Sequence, residues 1–316
     1  MTFQFGNLEA VQNQGAVAAF TGALLMRGAD QMTREQIKDK LDELSASGSV
    51  GGDYESVSAS FSTVRPNLPE LIALIGHLMK TPTFPEAELE TMRASYLQSL
   101  EESKSEPDSQ ASTKLGLLLN PYAKGDPRAA TSIEEDIVEA KSVKLAEIKE
   151  FHKNFYGANR GQISLVGDFD PDEVRELLKK EFGSWKNDQA PSYERIASKM
   201  KAIDRGQDVA VFIPDKTNAV YYAQMKLPIS DTHPDYAALR LANYIIGGGF
   251  LNSRLATRVR QQEGLSYSIQ SGLSAGSQDP VGSFSVYAIA APENLAKVKL
   301  AVSEEIQRAL KDGFTP

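Results

Sequence analysis

SVSASFSTVRPNLPELIALIGHLMKTPTF, residues 56–84, decides the reading of the fold. Residues 56–64 alternate along the chain and carry β-branched and aromatic side chains, the pattern of a half-buried strand. Arg65-Pro66-Asn67 then forms a hinge, with Asn67 placed to cap a helix. LPELIALIGHLMK gathers its apolar residues on one helical face and stops before Pro82. The same sequence of patterns returns in GSFSVYAIAAPENLAKVKLAVSEEIQRALKDGF, residues 282–314. Counting Pro66 against Pro292, the offset is 226 residues. A repeat on that scale implies two copies of one domain fold rather than a solenoid. The second copy ends early, which is expected of a domain incomplete at its C-terminus.

A length of 316 residues also exceeds one ordinary hydrophobic core and argues for two domains. TREQIKDKLDELSASG (33–48) opens on a capping box, Thr33 with Gln36, places Ile37, Leu41 and Leu44 on one face, and stops at Gly48. A long helix is expected from Pro85 to Glu102, with SKSEPDSQAS (103–112) as a polar break and EESKSEPDS (101–109) as a loop. The acidic run EEDIVEA (134–140) reads as a solvated face. Ser142, with Glu147 behind it, opens LAEIKEFHKNFYG (145–157); GQISLVGDF (161–169) reads as a buried strand; Asp170 caps VRELLKKEFG (174–183). NDQAPSYERIASKMKAIDRGQ (187–207) is the best linker. It divides the chain into domains 1–190 and 208–316, joined by 191–207. Beyond it, DVAVFIPDKTNAVYYAQMKLP (208–228) reads as two strands around a turn. HPDYAALRLANYIIGGG (233–249) and LNSRLATRVRQQEG (251–264) read as helices, and LSYSIQSGLS (265–274) as a strand. Interspersed helices and short strands imply an α+β fold.

Hydrophobic content of 41% and charged content of 24% are those of a soluble globular chain. A net charge of −8 argues against general attraction to nucleic acid or anionic lipid. The absence of cysteine excludes disulfides, thiolate catalysis and Cys-ligated zinc, and fits cytoplasm and periplasm equally. No apolar run approaches the roughly 20 residues of a membrane span. MTFQFGNLEA lacks the regions of a signal peptide; Phe3 and Phe5 alternate as in a strand that ends at Gly6. VKLAVSEEIQRALKDGFTP (298–316) ends just after a helix, and the expectation is a piece of a longer polypeptide.

Chemistry-bearing residues are sparse. His77, His152 and His233 lack a second His or carboxylate at metal-site spacing and read as structural. GGGF (247–250) lacks the Lys-Ser/Thr of a phosphate loop and reads as a helix stop. In RVRQQEGLSYSI (258–269), Arg260 falls near a helix end and Tyr267 follows seven residues later on a strand. By themselves they read as a complement to the helix dipole and an ordinary strand tyrosine. AAFTGALLMRGAD (18–30) is a buried helix, uncharged until Arg27, that breaks at Gly28 and holds no residue able to do chemistry.

Three stretches carry a family resemblance: SRLATRVRQQEGLSYSIQSG (253–272), FPEAELETMRASYLQSLEE (84–102), and NPYAKGDPRAATSIEEDIVEAKSVKLAEIKEFHKNFYGANRGQISLVGDFDPDEVRELLKKEFGSW (120–185). The chain resembles the M16 (insulinase, or pitrilysin-type) zinc metallopeptidases, with the related processing-peptidase subunits and respiratory-complex core proteins, over nearly its whole length. The resemblance implies two related LuxS/MPP-like αβ domains, each a mixed or antiparallel sheet packed with helices, the second truncated. In catalytic members the position of 18–30 carries an inverted zinc motif, His-x-x-Glu-His. Aligned on Gly28, its two His ligands fall at Ala19 and Ala23 and its general base at Gly22. The third ligand, a Glu 76 residues after the second His, falls at Ser99. Ala, Ala, Gly and Ser can neither ligate zinc nor accept a proton from its water. The resemblance keeps the helix for packing, its small residues fitting a former metal-lined cavity.

The resemblance also implies that Arg260 and Tyr267 close over a zinc site in another half, bonding substrate or the tetrahedral oxyanion. The expected function is therefore the non-catalytic half of a zinc metalloendopeptidase. It would enclose a peptide and hold no metal or other cofactor of its own, with zinc in the catalytic half. The expected partner is that zinc-bearing half, on the same polypeptide by preference, or a separate subunit. This chain alone is expected to hydrolyse nothing, and the family suggests a periplasmic home. The alternative is a catalytically dead scaffold or binding subunit, in which an intact Arg/Tyr pair would have no obvious use.

Overall fold

The two stretches that resemble each other in sequence fold alike. In the computed structural model, which describes residues 1–203 and 205–314, Ser56–Ser62 form a strand, Arg65–Asn67 a 3₁₀ turn and Leu68–Lys80 a helix. Gly282–Ala290, Pro292–Asn294 and Leu295–Asp312 form the same three elements in the same order. Each proline sits in the first turn of a helical segment, where its missing N–H costs nothing. Asp204 of the expected linker, and Thr315 and Pro316 of the expected second domain, lie outside the described residues.

In chain order the first part comprises β1 (Thr2–Gln4), α1 (Gly15–Leu24), β2 (Gly28–Ala29), β3 (Met32–Thr33), α2 (Arg34–Glu43), β4 (Ser47–Gly52), β5 (Ser56–Ser62) and α3 (Leu68–Lys80). Next come α4 (Glu86–Ser103), α5 (Pro107–Leu119), α6 (Ile133–Ser142), α7 (Leu145–Phe155), β6 (Gly161–Gln162) and α8 (Pro171–Phe182). The rest is β7 (Ala219–Leu227), α9 (Tyr236–Asn243), β8 (Ser266–Ser274), β9 (Gly282–Ala290) and α10 (Leu295–Asp312).

The chain forms two units. One contains Met1–Ser99, Ala123–Ala129 and Glu134–Ile196; the other contains Leu100–Tyr122, Ala130–Ile133 and the chain from Ala197 onward. The end of α4 and all of α5 thus belong with the second sheet, and α5 packs on β7. The first unit's sheet has the order β4-β5-β1-β6 and the second unit's has β8-β9-β7. Every pairing in them is antiparallel. The common plan is visible in the order: the strand that leads into the repeated helix lies in the middle. The strand before it flanks one side and the unit's first strand the other.

Each unit has its own core. In the first, Phe3 packs against Phe182 and Trp185, each at 5.4 Å between ring centroids, and Phe5 stacks on Tyr156 at 5.2 Å. Helix α1 packs on β4 and α7, and α3 on α8. In the second, Leu255, Val259, Ala288 and Val298 are fully enclosed.

Local signals are realised where a cap decides them. Thr33 Oγ1 accepts from the Gln36 amide while Gln36 Oε1 accepts from the Thr33 amide, at 3.3 and 2.9 Å. Asp170 Oδ1 accepts from the amides of Asp172 and Glu173. The acidic run lies on α6 with Ile133, Ile137 and Ala140 buried beneath it. Four expectations are corrected. Helix α7 is capped at Lys144, whose amide donates to Glu147 Oε2 at 2.8 Å, not at Ser142. The polar break shrinks to 104–106, because Pro107 starts α5. GQISLVGDF is paired only at Gly161 and Gln162, and Val166 is 99% exposed. Of the two strands expected in 208–228 only β7 forms, and Phe212 is 89% exposed.

His152 lies on α7 with Nε2 2.8 Å from the Met79 carbonyl and its ring edge-on to Phe84. Burial pushes its pKa below the ordinary value near 6.5, against a smaller opposing effect of the Met79 bond. The unfolded chain therefore takes up this proton first. The stabilising contribution is complete above about pH 6.5 and is lost as the pH falls through that value towards the lower folded one. Urea midpoints measured at about pH 7.5 and pH 5 should differ less in His152→Gln than in the parent chain. An equal acid loss in both would remove His152 as a source.

Candidate functional site

Helix α1 buries Ala18, Phe20, Thr21, Gly22 and Leu24, while Ala19 and Ala23 are exposed. Positions 19, 22 and 23 neighbour one another at the i, i+3, i+4 spacing. A Cβ on Gly22 would stand 2.2 Å from the Gly52 nitrogen, 2.5 Å from its carbonyl oxygen and 2.7 Å from its Cα. These are backbone atoms of β4, which cannot swing aside as a side-chain tip does. Gly52 is closed in turn, since a Cβ there would lie 2.5 Å from Tyr156 Oη. The Tyr156 hydroxyl is buried without a hydrogen-bond partner among the described residues. Burial, with the Asp53 charge nearby, drives its pKa far up, so the phenol stays neutral.

This arrangement does not fit a zinc ion. Two methyl groups, a bare Cα and the Ser99 hydroxyl stand where three donors and a base are required. Position 22 in addition has no room for a side chain. Gly22 does pack as a small residue, whereas exposed Ala19 and Ala23 fill no cavity, contrary to the expectation for them. Among the described residues no three His, Asp or Glu side chains gather as a metal site. His77 instead meets the Asp30 carboxylate, and His233 Nδ1 accepts from the Asp235 amide at 3.2 Å.

Arg260 and Tyr267 belong to the second unit. The chain from Ala256 to Gln262 is wound as a π-helix, as is Tyr244–Gly248 in place of the expected end of α9. Such widened turns are frequent at functional sites. Arg260 is exposed and makes no ion pair or hydrogen bond among the described residues. Its neighbour Arg258 is committed instead to Glu263 and Glu304. Gly264, at φ +60°, turns the chain into β8. There Ser266 pairs with Ala290 and Ser268 with Ile289, so Tyr267 is the extra residue of a β-bulge. The buried Ser266 hydroxyl holds the bulge, donating to the Ile289 carbonyl at 2.6 Å and accepting from the Ser268 amide at 3.1 Å. Tyr267 is left 70% exposed. Sequence reasoning singled out Arg260 and Tyr267 as candidates but not the bulge on which Tyr267 sits. It also missed Gly52 and Tyr156, for which the Gly51-Gly52 doublet at a strand end was the available signal.

Comparison with known proteins bears on the family and the fold. The family model for the peptidase M16 inactive domain matches residues 142–316. A non-peptidase homolog, YmxG of Helicobacter pylori, is 24% identical over 313 residues, covering 98% of this chain and 70% of that protein. An uncharacterised zinc protease of Mycobacterium tuberculosis is 23% identical, covering 88% of this chain and 63% of its own length. The crystal structure of a peptidase M16 inactive domain from Pseudomonas fluorescens superposes with a TM-score of 0.77 at 25% identity. It covers 99% of this chain and 74% of that one, with the same mixed α/β architecture. No helix among the described residues is long and apolar enough to cross a membrane. With more than half of its residues inside the family model, the chain belongs to the M16 peptidase family and carries that family's inactive domain.

Proposed function

We propose that this chain is the non-catalytic half of a zinc-dependent M16 peptidase, helping to enclose a peptide and presenting Arg260 and Tyr267 to the zinc site of a partner half. The observation that carries the reading is the contrast between two places. The metal position is closed at Gly22, whereas Arg260 is exposed and uncommitted and Tyr267 is turned outward by a bulge. An intact pair of this kind has no obvious use in a pure scaffold. Zinc held by the partner half would supply the activated water; Arg260 and Tyr267 of this chain contribute hydrogen-bond donors to the substrate backbone or the developing oxyanion. The chain spans 70% and 63% of the two relatives' length, and the zinc-bearing half is proposed on the same polypeptide by preference, or on a separate subunit.

The test is turnover of an unfolded peptide by the assembly reconstituted with its zinc-bearing partner. Arg260→Ala and Tyr267→Phe should each lower kcat by roughly 10²-fold while the complex still forms. Unchanged turnover in an intact complex would reject the catalytic contribution and favour the scaffold.

A further inference from the structure

A cavity of about 440 Å³ opens in the first unit beside α4. Thr91, Ser95 and Ser99, four residues apart on one face of that helix, form one wall, with Met92 and Tyr96 beside them. Arg27 and Arg34 line it as well. Arg27 Nη1 donates to Glu88 Oε2 at 2.9 Å, and Arg34 Nη1 stands 3.8 Å from the same oxygen. Two guanidiniums thus share one carboxylate, leaving a local positive excess in a chain whose net charge is −8. Arg34 makes no hydrogen bond among the described residues, and neither does the Ser95 hydroxyl; Thr91 donates back to the Ala87 carbonyl. Phe20 packs edge-on against Tyr96 at 5.9 Å and holds that ring in place. On the Tyr96 side, Asp136 and Glu139 are close enough to act on its phenol, so an anion is drawn to the arginine end.

We infer that this cavity binds the free carboxylate of an acid with an apolar body, most simply the C-terminal residue of a peptide. Guanidinium forks match the planar carboxylate in two parallel hydrogen bonds. Met92 and the Tyr96 ring receive the side chain, surface that a bare inorganic anion would leave wet. Peptide-bond hydrolysis creates a free carboxylate of this kind. The cavity includes Ser99, so a place that the family resemblance gives to an acidic cation ligand has reversed its charge preference. The inference does not depend on Arg260 or Tyr267.

The experiment is titration of the full chain with an N-acetylated tripeptide ending in leucine, as the free acid and as the C-terminal amide, and with inorganic phosphate. The free acid should saturate near or below about 1 mM, and the amide should bind at least about tenfold more weakly. Arg34→Ala, at a half-exposed position, should lose about tenfold for the acid, and Arg27→Lys, which keeps the charge but not the fork, should also weaken it. Arg175→Ala, on the remote helix α8, should change nothing. Equal binding of acid and amide, indifference to Arg34→Ala, or tighter binding of phosphate than of the acid would each overturn the assignment.

Discussion

Replacing Gly22 by glutamate should unfold the first unit. The side chain that catalytic relatives are expected to carry there cannot enter without driving α1 off β4, since its Cβ alone would lie 2.2 Å from the Gly52 nitrogen. Even Gly22→Ala should cost roughly 3 kcal/mol or more, at the upper end of overpacking, because all three contacts are to backbone. Ala19→His and Ala23→His, on exposed positions of the same helix, should stay within about 0.5 kcal/mol of the parent. Urea unfolding followed by fluorescence reads this directly, because the chain has one tryptophan, Trp185, packed on Phe3 in the first unit. An alanine variant as stable as the parent would show that α1 can withdraw and that the metal position is merely stripped of ligands. The expected loss has a stronger consequence: restoring the two histidines, the base and the acidic ligand together would not rebuild the site. The β4 backbone at Gly52, on which α1 rests, would have to move as well.

This closure explains what could be read from the sequence and what could not. The duplication was legible because each copy states its own strand, proline hinge and amphipathic helix within about thirty residues. Caps such as Thr33 with Gln36 were legible for the same reason. GQISLVGDF and DVAVFIP failed because an apolar run shows that a strand is wanted, not that a partner strand is available. β1, the neighbour of β6, is only Thr2–Gln4, and most of the run is left unpaired. The zinc-ligand places that the family resemblance assigns to Ala19, Ala23 and Ser99 can be read position by position, and none carries a side chain suited to zinc. The meeting of Gly22 with Gly52, and of Gly52 with the Tyr156 hydroxyl, could not be read, since it joins residues on three separate elements. The bulge at Tyr267 is a matter of register with β9, and a π-helix is a choice of hydrogen-bond partner; neither alters side-chain periodicity enough to show.

The second large effect is expected at Glu305, on α10. It is 4% exposed, and its carboxyl group faces Arg254, Arg258 and Arg308. Arg258 also binds Glu263 and Glu304, so three arginines balance three glutamates where α10 meets the π-helix Ala256–Gln262. Arg258 Nη1 is already buried without a hydrogen-bond partner, standing 4.0 Å from Glu305 Oε2. Removing the central carboxylate should therefore leave uncompensated positive charge in a place water reaches poorly. Glu305→Ala should cost roughly 3–5 kcal/mol, read by circular dichroism or tyrosine signals because the second unit has no tryptophan. Arg258→Met combined with Glu305→Leu should recover at least about half of that loss, as apolar replacement of a buried pair often does. A loss below about 1 kcal/mol in Glu305→Ala would mean that the cluster is solvated and holds little. The expected result has a consequence for the candidate site, because Arg258 and Arg260 share one helical segment. If that segment is held through Glu305, Glu305→Ala at a temperature where the chain stays folded should loosen Arg260 and reduce turnover of the assembled peptidase, and the Met/Leu pair should restore stability more fully than turnover.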